Sequence, residues 1–279
     1  MNTRDIKRRI ATVKDTVKIT SAMHLIAASK LYKSKKKSEC ARRYLDQLHY
    51  ALTEADDQKL TQSPLVRGNG CDKIALIVIA GDKGLCGDCN HRILGMAEEI
   101  LQTKKVSKIY VVGQETREYF RRRHIPVNSF YIHMANEPHA FDAISVANDM
   151  LEFFAKGEYG EIFLLYTATP SYSKITPTMK RLLPIELPAP TGTDSLFEPH
   201  TAESVKNFLS QYVMAEIYSA LADSNLAINY KRMLSMQEST KNGEAIIGEF
   251  TQEYNHQRQE NITSELVTAS ASATMGNQS

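Results

Sequence analysis

The run IKRRIATVKDTVKITSAMHLIAASKLYKSKKKSECARRYLDQLHYAL, residues 6–52, decides the fold. Stepping alternately four and three residues along it meets Ile6, Ile10, Val13, Val17, Thr20, His24, Ala27, Leu31, Ser34, Ser38, Ala41, Leu45, Leu48 and Leu52, ten of them apolar. A repeat averaging 3.5 residues lays one stripe along a helix and keeps it facing a partner helix if the two supercoil, which predicts a coiled coil. No Gly or Pro interrupts residues 1–63, so a helix of ~50 residues, about 75 Å long, is expected.

A second seam answers it from the other end. The same stepping gives Val205, Phe208, Tyr212, Ala215, Ser219, Ala222, Leu226, Asn229, Met233, Met236, Thr240, Gly243, Ile247, Phe250, Tyr254 and Gln257, and no Pro follows Pro199. Two seams at opposite ends of one chain are most simply satisfied by each other as an antiparallel pair; the alternative is two long helices packed on a domain surface or on separate partners. Small or polar seam positions (Thr20, Ser34, Ser38, Ser219, Asn229) are expected to set register.

Charge separates the two ends as well. Residues 1–43 hold thirteen Lys and Arg against Asp5, Asp15 and Glu39, whereas residues 201–279 carry a net charge of −4. The gradient favours pairing of the ends and leaves basic residues, notably Lys30, Lys33 and Lys35 to Lys37, to meet solvent, an acidic partner or nucleic acid. No stretch of eighteen apolar residues is present, so no direct membrane span is expected, and the start lacks the apolar block of a signal peptide. Cys40, Cys71, Cys86 and Cys89 are too few for a disulfide framework and read as reduced thiols of a cytoplasmic chain.

Between the seams the period changes. Residues 73–80, KIALIVIA, form a β-branched apolar run that reads as a strand buried on both faces. Helical spacing at Ile93, Leu94, Ala97, Ile100 and Leu101 follows, then a strand at 109–112, a short charged helix at 115–123, a strand at 125–131, an amphipathic helix at 140–154 and a buried strand at 161–169. Alternating strands and helices predict a Rossmann-like α/β domain with a mostly parallel sheet covered on both faces. Pro177 and Pro184 confine residues 173–187 to an edge strand or arm. The expected divisions are an N-terminal coiled-coil helix (1–58), a linker (59–72), the α/β domain (73–187), a second linker (188–200) and a C-terminal coiled-coil helix with its tail (201–279).

One loop resembles chemistry. Gly81-Asp82-Lys83-Gly84-Leu85-Cys86-Gly87-Asp88-Cys89-Asn90 follows the first strand, yet its glycines match neither the dinucleotide fingerprint nor the P-loop. Cys86 and Cys89, spaced as a dithiol before a helix, allow a thioredoxin-like reading, in which the helix N-terminus lowers the first thiol's pKa. As a zinc site the pair needs two further ligands, and Cys71 and His91 lack supporting spacing. The structural reading is a sharp turn at the carboxyl end of the strand, built on Asp82, Gly84, Cys86, Gly87 and Asn90, with Asp88 or Asn90 capping the next helix.

Several segments together carry a resemblance. Ile6-Lys7-Arg8-Arg9-Ile10, Lys18-Ile19-Thr20-Ser21-Ala22-Met23, Ala27-Ala28-Ser29-Lys30-Leu31, the loop Asp82 to Asn90, Arg232-Met233, Met236, Thr240-Lys241-Asn242-Gly243, Glu253-Tyr254-Asn255, Arg258-Gln259, Ile262-Thr263 and Glu265-Leu266 stand in order and at matching spacing. In these the chain resembles the gamma subunit of F-type ATP synthases over almost its full length. The resemblance implies a non-catalytic rotor shaft: terminal helices paired inside a ring of alpha and beta subunits, and a middle domain that touches the epsilon subunit and the membrane rotor ring of c subunits. It implies catalysis by the beta subunits, no cofactor, no metal, no nucleic acid, and a place on the cytoplasmic side of the bacterial inner membrane. Carried over residue by residue, the expected contacts with the alpha and beta ring are Arg8, Arg9, Met23, Lys30, Arg232, Arg258, Gln259, Thr263 and Glu265. The chain departs from the family pattern at His24-Leu25, at Cys89 and in the small, polar run 267–273.

Overall fold

The computed structural model describes residues 3–54, 58–131, 134–171, 174–187 and 201–276. The expected linker 188–200, Ser173 and the last three residues lie outside them. Twelve elements follow in order: α1 (Thr3–Glu54), α2 (Gln58–Gln62), α3 (Pro64–Arg67), β1 (Ile74–Ile79), α4 (Cys89–Thr103), β2 (Val106–Val112), α5 (Gln114–Arg122), β3 (Ser129–Tyr131), α6 (Ala140–Ala155), β4 (Glu161–Ser171), β5 (Lys174–Leu183) and α7 (Ala202–Gly276). The chain divides into two compact units, one of residues 1–26 with 233–279, the other of residues 27–232.

In the first unit α1 and α7 run antiparallel, since rising numbers on one meet falling numbers on the other. Thr20 Oγ1 lies 2.8 Å from Thr240 Oγ1, and His24 Nδ1 lies 3.1 Å from the Met233 carbonyl. Gly243 sits against Val17, and a Cβ there would come within 2.5 Å of Val17 Cγ2, so the close approach of the two helices requires glycine. Ile6 is buried, and Ile10, Val13, Val17, Ile247, Phe250 and Tyr254 are half-buried, all of them seam positions.

The second unit holds a five-stranded sheet in the order β3-β2-β1-β4-β5. Its first four strands are parallel, and β5 runs antiparallel at the edge. There Pro177 stands opposite Thr167, a position an edge strand tolerates because its outer side needs no N–H donor. Alternation along β1 sends Ala75, Ile77 and Ile79 to one face and Leu76, Val78 and Ala80 to the other. The first face packs on α6 through Val146, Met150 and Phe154 and on α7 through Val205, Leu209, Val213 and Leu221, with Leu48 and Leu52 of α1 in the same core. The second packs on Ile93, Leu94 and Ala97 of α4 and Phe120 of α5.

Two details differ from the sequence reading. Of the expected strand 125–131, Ser129–Tyr131 pairs as β3 and Asn128 adds one amide bond to the Ile109 carbonyl of β2 at 2.9 Å, because the chain leaving α5 first turns at His124 (φ 57°). Residues 59–72 carry α2 and α3 and bury Leu60 and Leu65 in the main core.

Candidate functional site

The chemistry-bearing side chains of the second unit converge where the carboxyl ends of the strands meet α7. In this sheet β1 leads to β2 on one side while β4 lies on its other side, so the crevice that open α/β folds use for ligands lies between the ends of β1 and β4. Here α7 fills it. Ser224 Oγ accepts from the Thr167 amide at 3.1 Å, Thr169 Oγ1 donates to the Asp223 carbonyl at 3.3 Å, and Ala227 and Ile228 pack on Cys86, Cys89 and Ile175. From residue 219 to 229 every α7 residue is buried, since α1 covers one side and the sheet edge the other.

A polar network threads that buried stretch. The Asp223 carboxylate accepts from Ser38 Oγ at 2.6 Å and from Arg42 Nε at 3.0 Å, and Arg42 Nη2 also donates to the Thr169 carbonyl. Asn225 Nδ2 donates to the carbonyls of Ala135 (2.7 Å) and Asn136 (2.8 Å), while its oxygen accepts from Ser34 Oγ and from Asn229 Nδ2. On the neighbouring strand Lys180 pairs with buried Glu216 at 2.5 Å, and Tyr212 donates to the same carboxylate. Ser34, Ser38 and Asn229, seam positions in the sequence, thus bond across the seam; Asp223, Ser224, Asn225 and Arg42 lie off the seam pattern and complete the network. The signal was present: Asp223-Ser224-Asn225 is a polar triplet inside the apolar run 220–228.

The loop after β1 is a structural turn. Asp82 is buried, and its carboxylate accepts from the amides of Gln114 and Asn136, each at 3.0 Å, which ties together the loops that follow three strands. Asn90 reaches back so that its oxygen accepts from the Gly81 amide at 3.0 Å. Gly87 takes φ 59°, a conformation that glycine adopts freely. The expected cap is absent: Asp88 precedes α4 but makes no side-chain cap bond, because its carboxylate pairs with Lys231 at 3.1 Å. Arg232 joins the same loop, with Nη2 donating to the Lys83 carbonyl at 3.0 Å and Nε and Nη2 to the Gly84 carbonyl at 3.3 Å.

The dithiol reading fails on burial. Cys86 and Cys89 are 1% and 5% exposed, and desolvation drives both thiols up, Cys89 to about 11, against the pull of Arg232 on Cys86. At pH 8 a thiol with that value is ionised in about one molecule in a thousand, so it is a poor nucleophile. In the native chain at pH 8, iodoacetamide should therefore label exposed Cys40 and spare Cys86 and Cys89 until denaturant is added, as peptide mass mapping will read.

The remaining expected contact residues lie on helix surfaces. Arg8, Arg9, Arg258, Gln259, Thr263 and Glu265 are exposed in the first unit, where Met23 is half-buried, and Lys30 is exposed in the second. Thr263 Oγ1 donates to the Gln259 carbonyl at 2.9 Å. Within the lysine run, Lys35 pairs with Glu39 at 3.9 Å, and Lys37 Nζ donates to the Pro138 carbonyl at 3.2 Å. No described helix is long and apolar enough to cross a membrane.

Antiparallel helices with polar residues bonded across their seam, and an α/β body whose crevice α7 fills, define a protein of paired long helices and a Rossmann-like domain. A family profile described as ATP synthase matches residues 2–274. The ATP synthase gamma chain of Desulfitobacterium hafniense is 32% identical over 266 residues, covering 94% of this chain and 95% of the relative, and that of Moorella thermoacetica is 32% identical over 277 residues, covering 97% of each. Among solved structures, a chain of the Euglena gracilis mitochondrial ATP synthase (OSCP/F1/c-ring, rotational state 3) matches with a TM-score of 0.69 at 12% identity, over 98% of this chain and 93% of that one. A chain of the Tetrahymena thermophila central stalk and c-ring matches with a TM-score of 0.62 at 20% identity, over 79% and 98%. The chain belongs to the ATP synthase gamma chain family.

Proposed function

We propose that the chain is the rotor of an F-type ATP synthase central stalk, on the cytoplasmic side of a bacterial plasma membrane, and that it couples rotation of the membrane ring to synthesis or hydrolysis at the beta subunits without catalysing either. The observation that carries this reading is the filled crevice: α7 residues Ser224, Ala227 and Ile228 occupy the place where a nucleotide-binding α/β domain holds its ligand. The body therefore serves as a mount for the helices. Family membership across residues 2–274, the buried thiols and the inward turn of Lys37 favour this reading over a dithiol enzyme or a nucleic-acid binder.

Coupling follows from symmetry. A ring of three alternating pairs around an asymmetric axle presents three different environments to its catalytic sites. Each axle angle then stabilises a different assignment of nucleotide affinities, and differential contact energy links angle to affinity. The link is reciprocal, so ion flow drives product release and hydrolysis drives the axle backward. Arg8, Arg9, Met23, Lys30, Arg258, Gln259, Thr263 and Glu265 are assigned to the alpha and beta ring, all but half-buried Met23 being exposed. The body is assigned to the epsilon subunit and the c ring. Arg258→Glu combined with Gln259→Ala should cut coupled ATP synthesis in the assembled enzyme roughly tenfold or more. Both residues are exposed, so the fold survives the change; synthesis at the wild-type rate would refute their assignment.

A further inference from the structure

We propose that Arg232, supported by Lys231, is a positioning residue: it latches the α/β body to α7 at a second point, and through that latch torque passes between helix and body. The inference rests on the rotor reading above and gives Arg232 a role inside the chain instead of at the ring.

The chain enters the body after Glu54 and α7 begins at Ala202, and Leu52, Leu65 and Val205 share one core cluster. The covalent attachments of body to helices thus lie together at one end. A body held only there would twist about that point under load. Packing from Leu209 to Leu221 and the Lys180–Glu216 pair extend the grip along the helix. Within this unit, Lys231 and Arg232 are the described α7 residues furthest along the helix that bond to the body, about 40 Å beyond Val205 at helical rise.

The chemistry suits a latch. The guanidinium is planar, permanently charged and rigidly forked, and it donates to two consecutive carbonyls, Lys83 and Gly84, while Nη1 reaches Asn229 Oδ1 at 3.4 Å. The next residue, Leu85, stands at φ 61° and is 59% exposed. A left-handed leucine persists only where its surroundings dictate the backbone, and the two clamped carbonyls do so. Lys231 adds its 3.1 Å pair with Asp88 on the other limb of the same loop. The loop is anchored in turn to the body by Asp82 and Asn90. A load on α7 therefore reaches the carboxyl ends of the strands through one short, bonded path.

The test uses the full chain and the assembled enzyme. In the full chain alone, Arg232→Ala should speed hydrogen exchange of amides 82–88 about tenfold, and Arg232→Lys, which keeps charge but not the fork, should speed it less. In the assembled enzyme, a rotation probe on Lys108→Cys, in a Cys40→Ser background, should show a broader angular spread at each dwell in Arg232→Ala. Should Arg232→Ala lose coupling while loop exchange and angular spread match the wild type, Arg232 acts at the ring and the latch is overturned. If that variant does not accumulate, Lys231→Asp and Asp88→Lys take its place: each alone should broaden the spread and the double reversal should restore it, and a double that adds the two defects overturns the proposal. Failure of the rotor reading looks different, since the chain would then not assemble with alpha and beta subunits whatever residue 232 is.

Discussion

Asp223→Ala should lower the unfolding free energy of the chain by about 3 kcal/mol, the lower end of the range for breaking a buried charge pair. The Asp223 carboxylate is buried and receives Ser38 Oγ at 2.6 Å and Arg42 at 2.8 to 3.0 Å. Removing it leaves a guanidinium and a buried hydroxyl without their acceptor. The Arg42 side chain keeps 32% of its surface in solvent, so water recovers part of the loss, which is why the lower end applies. The pair matters beyond its own energy because three elements meet on it. Ser38 and Arg42 come from α1, Asp223 from α7, and the carbonyl of Thr169, which Arg42 also holds, from β4. Asp223→Asn keeps the shape and one acceptor and should cost about half as much. Urea denaturation of the full chain, read by circular dichroism, measures both; a loss under 1 kcal/mol for the alanine variant would mean that the Asp223 contacts contribute little to holding α1, α7 and the sheet together.

The long helices were legible because their periodicity is a property of one stripe repeated many times, and every position from Ile6 to Leu52 in that stripe is buried or half-buried. The sheet was legible for a similar reason: Ile74 to Ala80 can be buried on both faces only inside a parallel array. What periodicity does not encode is which loop a polar side chain meets. The resemblance groups Arg232 with ring contacts, and within the chain its donors reach Lys83 and Gly84, nearly 150 residues away, a pairing that no local pattern announces. Asp88 has the right residue type and place for a cap, and a lysine on α7 takes its carboxylate instead. The Cys86 and Cys89 spacing suggests reactivity until burial is known, since the same pair of thiols is nucleophilic at an open helix end and inert beneath Ile228 and Ile175. In each case the deciding quantity is a tertiary distance, and no local pattern carries it.

Asn225→Asp should destabilise the chain more strongly as pH rises, by roughly 3 to 5 kcal/mol at neutral pH. Wild-type Asn225 is 5% exposed and makes four hydrogen bonds: its nitrogen gives two, to the carbonyls of Ala135 and Asn136, and its oxygen takes two, from Ser34 and Asn229. A carboxylate of the same shape keeps the acceptor side. On the other side it sets a negative oxygen against two carbonyl oxygens. Desolvation and that repulsion both raise the pKa of the substituted group above its unfolded value of about 3.9. Between those two values the folded state holds a proton that the unfolded state has lost, so stability falls as pH rises through the window and is recovered in part below it, where the neutral acid donates to one of the carbonyls. The wild-type amide does not titrate, so the difference between the two proteins isolates the effect. Denaturation midpoints of both, taken from pH 4 to pH 8, should diverge steadily, and a gap that stays constant across that range would show that the substituted carboxylate has found solvent, and so that α7 does not seal the carboxyl edge of the sheet. The seal is what turns an open α/β crevice into a mount for a helix, and Asn225 bonds at once to the loop after β3 and to α1.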